Sequence, residues 1–161
     1  MKHTYLLLIA GLMTFCGTKN TTTENNNTEV TQQLPTLMAG YMYIKEGLIA
    51  SNSDQVKTTA QALLGNLGKE LNTASASLKE EIIALAATET LENQKIIFQS
   101  LTTMLAEMTK STGSNIPVFI QFCPMAFDNQ GGTWLSLSEE IKNPYFGEMM
   151  LTCGRVEETI N

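Results

Sequence analysis

Apolar residues recur every three or four positions along four consecutive stretches of the chain, which is the spacing of an amphipathic helix. These stretches cover about residues 35–50, 53–72, 77–88 and 91–110. Pro35 suits the first turn of its helix, Ser53 suits a capping position, and Ser77 with Glu80 has the spacing of a capping box. The connections between the stretches are short, so the pattern predicts a helical bundle.

The period changes after Pro117. Residues 118–123 are β-branched and aromatic, which predicts a strand, and a second short strand is predicted at about 150–156. Residues 128–132 and 143–147 carry the Gly, Asn and Pro that are typical of turns and irregular loops. The predicted fold is mainly α, with about four helices in a bundle and a small C-terminal two-stranded β element. If the two strands pair, Cys123 and Cys153 come close together.

The first residues are typical of an export signal. Lys2 precedes an apolar run over residues 5–13 that is too short to span a bilayer, so residues 1–16 are predicted to be a signal peptide of the lipoprotein type. Cys16 stands where such a signal places its acylated residue, although Phe15 replaces the usual small residue before it. We expect a periplasmic or cell-envelope protein anchored by a lipid on Cys16. The alternative is a soluble secreted protein.

Residues 17–33 are rich in Thr, Asn, Gln and Glu and almost free of apolar side chains, which predicts a disordered tether. Residues 34–161 are enough for one domain with its own core. The net charge of the chain is −6 and no basic stripe is present, so nucleic acid is not an expected partner.

The only histidine, His3, falls in the predicted leader. The mature chain would therefore lack the imidazole that Ser-His-Asp and Cys-His catalysis, His-ligated zinc and a histidine proton switch require. Acidic pairs such as Glu80-Glu81 fit solvated helix faces better than paired catalytic carboxylates. We do not expect an enzyme.

Sulfur is the remaining candidate chemistry. Cys123-Pro124-Met125 and the segment 149–154 place thiols and thioethers in two clusters, and both are soft ligands that select copper(I) or silver(I). The candidate ligands are Cys123, Met125, Met150 and Cys153. Met149 is the less suitable of the two adjacent methionines, because neighbouring side chains of a strand point to opposite faces. A structural disulfide and inert buried thiols remain alternatives for the two cysteines.

Several motifs resemble those of a known family. The motif residues are 118–127 with Cys-Pro-Met, 132–136 with Trp-Leu-Ser, and 141–154 with Asn-Pro-Tyr-Phe-Gly and Cys-Gly. Together with the helical residues from Tyr41 onwards, they resemble a domain of unknown function found in bacterial periplasmic proteins. That domain occurs alone or at the C-terminal end of the membrane-fusion adaptors of copper and silver efflux systems. The resemblance covers residues 34–157, with Lys95 where we expect an arginine.

The resemblance implies a heavy-metal function and, as partners, efflux adaptor or transporter proteins. The first hypothesis is therefore an extracytoplasmic domain that binds or transfers copper(I) or silver(I). The second is an interaction module without metal, in which Cys123 and Cys153 form a structural disulfide. A thiol redox protein is the weaker third, because the chain has no Cys-x-x-Cys motif.

Overall fold

The computed structural model describes residues 23–67 and 76–161. The long helices are α1 (Thr23–Ile49), α2 (Ser53–Leu67), α3 (Ala76–Ala87) and α4 (Leu91–Thr112). The strands β1 (Val118–Cys123), β2 (Gly132–Ser136) and β3 (Arg155–Ile160) follow, with a helical turn (Ala126–Asn129) and a 3-10 helix (Gly147–Met150) between them. The predicted leader with Cys16 and residues 17–22 of the predicted tether lie outside the described residues.

The chain is mainly helical, as predicted. The predicted end of the second helix, at about residue 72, lies outside the described residues, and the other helix ends lie close to the predicted positions, with one exception. Helix α1 begins at Thr23, inside the stretch predicted to be a tether, and Pro35 lies within it. The prediction that Pro35 marks the first turn was therefore wrong. A proline inside a helix removes one backbone hydrogen bond, and its cost can be offset by packing of the neighbouring turns. The buried residues that follow, Leu37 and Tyr41, supply that packing.

The second helix is capped by a different residue from the one predicted. The side-chain oxygen of Asn52 accepts a hydrogen bond from the backbone N–H of Gln55 at 3.0 Å, which is the geometry of an N-cap. The Ser53 hydroxyl instead donates to the carbonyl oxygen of Glu89, at the junction between α3 and α4. Ser53 is therefore the first residue of α2 but not its cap, and its side chain joins α2 to the α3–α4 junction.

Each long helix contacts the next, and α1 also contacts α4. One apolar core runs through the helices and continues into the sheet, where Trp134 and Leu135 are fully buried. The residues that form it on the helical side include Tyr41, Ile44, Val56, Ile82, Phe98 and Leu101. The sheet therefore shares its core with the helices, and the arrangement of the helices as a bundle stays a prediction.

The sheet has three antiparallel strands in the order β2-β1-β3, which corrects the predicted two-stranded ribbon. The strand that was missed, β2, lies directly after the turn at Gly131 and packs against α4. The second predicted strand was placed too early: residues 147–150 form a 3-10 helix, and β3 begins only at Arg155. The segment from the 3-10 helix to the start of β3 begins and ends with a glycine of positive φ, Gly147 and Gly154.

None of the helices in the described part of the chain combines the length and the apolar character that crossing a membrane requires.

Candidate metal centre

Two thiols lie in direct contact at one end of the sheet. The sulfur atoms of Cys123 and Cys153 are 2.9 Å apart and hydrogen-bonded, and neither cysteine is in a disulfide. Cys123 is fully buried, whereas Cys153 is half-buried. The predicted proximity of these two residues is confirmed, and the pair is open to solvent from the side of Cys153.

Strand pairing explains why the thiols meet. Strand β1 ends at Cys123, and its neighbour Phe122 is paired with Arg155 at the start of β3. Cys153 stands two residues before that pair, in the turn that leads into the strand. The antiparallel register thus brings the last residue of one strand beside the residues that precede the other.

Trp134 packs against the backbone beside Cys153. It is paired with Gln121 across β1 and β2, and its indole N–H donates to the Gln121 side-chain oxygen at 2.6 Å. The amide nitrogen of Gln121 donates to the carbonyl oxygens of Ser138 and Glu140, so one side chain fixes the indole and the loop after β2. A Cβ atom added at Gly154 would lie 2.8 Å from the indole ring, so the backbone beside Cys153 rests directly on Trp134.

Asn143 holds the loop that carries Cys153. Its amide nitrogen donates to the Cys153 carbonyl oxygen at 2.9 Å, and its side-chain oxygen accepts from the backbone N–H of Tyr145 at 2.8 Å. The Asn143 backbone N–H donates to the Leu151 carbonyl oxygen, and its carbonyl oxygen accepts from Gly147. Asn143 is fully buried and therefore sets the position of the whole 143–153 loop. The sequence pointed only to a turn here, through the Asn-Pro pair.

The close contact changes the acidity of one thiol. The hydrogen bond with Cys123 raises the pKa of Cys153, and burial and the proximity of the Cys123 sulfur raise it further. Cys153 consequently keeps its proton to higher pH than an isolated cysteine. A metal that takes this sulfur as thiolate must displace that proton.

The predicted thioether ligands lie on a neighbouring cavity. Met125 and Met150 line a cavity of about 910 Å³, and Met149 lines it as well. Neither cysteine is among the described residues that line it. The predicted four-ligand set is therefore divided into a thiol pair and a group of thioethers. Met149 joins that group because residues 147–150 form a 3-10 helix and not a strand.

Tyr145 and Gln99 connect this region to α4, and the helical pattern did not single out Gln99. The Gln99 side chain accepts from the Thr133 backbone N–H and donates to the Thr133 hydroxyl, both at 2.9 Å. The Tyr145 hydroxyl donates to the Gln99 side-chain oxygen at 2.6 Å. Burial raises the pKa of Tyr145, and the nearby Cys123 contributes to the shift. Tyr145 thus lines the cavity while lying close to the thiol pair.

No three side chains of His, Cys, Asp or Glu are grouped into a cage for a metal ion anywhere in the described ranges 23–67 and 76–161. Thiol and thioether sulfur are therefore the donors to consider at this site.

Comparison with protein families gives a match to the family described as "Protein of unknown function (DUF3347)". The match covers residues 37–116. The DUF3347 segment extends from Leu37 in α1 to Ile116, just before β1, so it contains the C-terminal part of α1 together with α2, α3 and α4. The predicted resemblance to a family of unknown function is confirmed for this segment. The thiols, the thioethers and the motifs around them lie beyond the DUF3347 match, and the efflux-adaptor association stays a prediction.

The chain gave no significant match to curated proteins and none to solved structures.

Proposed function

We propose that this domain binds monovalent copper or silver outside the cytoplasm through the thiols of Cys123 and Cys153, and serves heavy-metal efflux or homeostasis. The observation that carries the proposal is the 2.9 Å contact between the two sulfur atoms. Thiolate sulfur selects soft ions, and two converging thiolates provide charge that offsets the cost of dehydrating the ion. A helical bundle with the sheet on it is the scaffold in this proposal.

The donor geometry fits an ion after a small movement. At a metal–sulfur distance of about 2.3 Å, two sulfurs lie roughly 3.8 Å apart on a tetrahedral ion and roughly 4.6 Å apart on an ion that they alone bind in a line. The thiols must therefore separate by about 1–2 Å from their contact at 2.9 Å. Cys123 is fixed in the core at the end of β1, whereas Cys153 lies half-buried in a turn. Rotation of the Cys153 side chain is the movement that admits the ion.

The proposed mechanism is ligand exchange, without catalysis. A sulfur atom of a partner, such as an efflux adaptor or transporter protein, approaches from the exposed side and binds the ion while Cys153 lets go. Cys123 is enclosed by the sheet and is the last ligand to leave. The ion keeps its oxidation state, and each released thiolate takes a proton from solvent at neutral pH.

Anaerobic titration of the leaderless domain with copper(I) under reducing conditions tests the proposal. We expect the Cys123→Ser, Cys153→Ser double variant to lose at least tenfold in affinity for the tightest-bound ion. Thr152→Ser is the matched control, because Thr152 is an exposed neighbour in the same turn and should leave the affinity unchanged. A double variant with the affinity of the unmodified domain would show that these thiols are not the ligands.

The lipid anchor is a separate part of the proposal. The lipoprotein-type signal and Cys16 support it, and it would hold the domain at the membrane surface. In cells that make the full chain, Cys16→Ser should move the protein from the membrane fraction to the soluble envelope fraction. Retention of this variant in the membrane would refute the anchor without affecting the metal site.

A second candidate is an interaction module with a structural disulfide between Cys123 and Cys153. The same sulfur contact favours it, because a disulfide needs sulfurs about 2.05 Å apart and only a short approach from 2.9 Å is required. Thiol titration of protein isolated from the cell envelope separates the two candidates. The disulfide hypothesis predicts that both thiols are blocked and that a chelator does not free them. Metal binding predicts that a chelator frees both.

A further inference from the structure

The cavity beside the thiol pair has an unusual concentration of exposed thioethers. Met149 is 82% exposed and Met125 is 47% exposed, while Met150 is half-buried, and all three line the same cavity. By contrast, Met38 on α1 is only 8% exposed and belongs to the core. Large apolar side chains that are exposed to solvent do not gain the free energy of burial. A group of such side chains on one surface is therefore typical of a binding site.

The backbone holds these methionines in place from two sides. On one side, Met125 leads into a turn in which Phe127, Asp128 and Asn129 all have positive φ, at 52°, 55° and 67°. Such a conformation is unfavourable for a non-glycine residue, and it persists only where the surrounding structure over-determines it. On the other side, the 3-10 helix Gly147–Met150 presents Met149 and Met150 to the same space.

The surroundings of the thioethers suit a soft cation. The aromatic rings of Phe127, Tyr145 and Phe146 line the cavity, and aromatic faces attract cations. Two carboxylates, Glu92 and Asp128, also line it, against one ammonium group, that of Lys95. The lining is therefore net negative by one charge at neutral pH. Thioether donors with a weakly negative, aromatic lining favour a monovalent soft ion over a hard divalent ion, which requires an oxygen cage.

We infer that Met125, Met149 and Met150 form a second site for copper(I) or silver(I), separate from the thiol pair. The inference goes beyond the proposed function and does not require the cysteines to bind metal. A thioether carries no proton, so this site takes up an ion without releasing one, whereas a thiol site must lose protons. The ion is held more loosely than by thiolates, since thioether ligands bring no charge of their own.

The test is a titration of the leaderless Cys123→Ser, Cys153→Ser variant with silver(I) in chloride-free buffer. This variant is used so that no thiol competes with the methionines for silver. With methyl-labelled methionine, silver should shift the methyl resonances of Met125, Met149 and Met150. The internal controls are the four methionines on the helices: Met38, Met42, Met104 and Met108. Their resonances should stay in place. Shifts that are absent, or equal across all seven methionines, would overturn the inference.

A second measurement addresses the same site without resonance assignment. In the thiol-free background, replacing Met125, Met149 and Met150 by leucine should weaken silver binding at least tenfold, because leucine keeps the volume and removes the sulfur. Met104→Leu is the matched control and should leave binding unchanged. Full affinity in the triple variant would refute the thioether site. If the Cys123→Ser, Cys153→Ser variant kept the copper(I) affinity of the unmodified domain and still showed the methionine shifts, only the proposed function would be refuted.

Discussion

Replacing Asn143 by alanine should loosen the loop that carries Cys153. The asparagine side chain accepts from the Tyr145 backbone N–H and donates to the Cys153 carbonyl oxygen, at 2.8 and 2.9 Å, in a fully buried position. Alanine leaves both backbone groups without these partners. An unsatisfied buried polar group costs about 1–3 kcal/mol. With partial relaxation of the loop, we expect the free energy of unfolding to fall by about 2–4 kcal/mol.

Urea denaturation followed by circular dichroism measures this loss. An unchanged m-value would show that unfolding still exposes the same amount of surface. Asn93→Ala is the matched control, because Asn93 is exposed on α4 and alanine favours helix there. The thiol reaction of Cys153 with a small alkylating reagent should also become faster in Asn143→Ala, since the turn is freed. A loss of stability within about 0.5 kcal/mol of the control would refute the role assigned to Asn143.

Two further predictions concern the junction of helices and sheet and the acidity of the thiol pair. Tyr41→Phe removes the hydroxyl that accepts a hydrogen bond from the buried Leu135 backbone N–H at 2.9 Å. Urea denaturation should therefore show that the free energy of unfolding falls by about 1–3 kcal/mol. Tyr43→Phe is the control and should change it very little, because Tyr43 is 66% exposed. The pKa of Cys153 is raised in the folded, metal-free protein, so its stabilising contribution is complete below the pKa of the unfolded thiol and is lost as pH rises through the folded pKa. Thermal unfolding under reducing conditions should therefore show stability falling above about pH 9. The fall should be smaller in Cys153→Ser, which has no thiol at this position. An equal fall in both proteins would show that Cys153 is not its cause.

The helices and β1 were predictable because each leaves a local periodic signal in the sequence. Strand β2 was not, because it begins at a glycine directly after a turn and its five residues, GTWLS, leave little room for alternation. The proximity of Cys123 and Cys153 followed from pairing two strands, even though the second strand was placed too early.

The division of the sulfur ligands depended on a detail that the sequence did not reveal. The alternation rule for strands excluded Met149, but a 3-10 helix at this position gives Met149 and Met150 access to the same cavity. Gln99, Gln121 and Asn143 were also beyond prediction as positioning residues. Gln99 and Gln121 find their partners in other elements, and such long-range hydrogen bonds leave no local pattern.

The separation of Cys123 and Cys153 along the chain also determines when the thiol pair can form. Cys123 and Cys153 are separated by 30 positions, and they meet only when β3 joins β1. The helices depend mainly on local contacts and can form before this pairing, which closes a longer loop. A chain made only as far as β2 therefore contains Cys123 without the partner thiol of the folded domain. Cys123 gains its contact with Cys153 only after β3 has been added, so the last strand completes the thiol pair as well as the sheet.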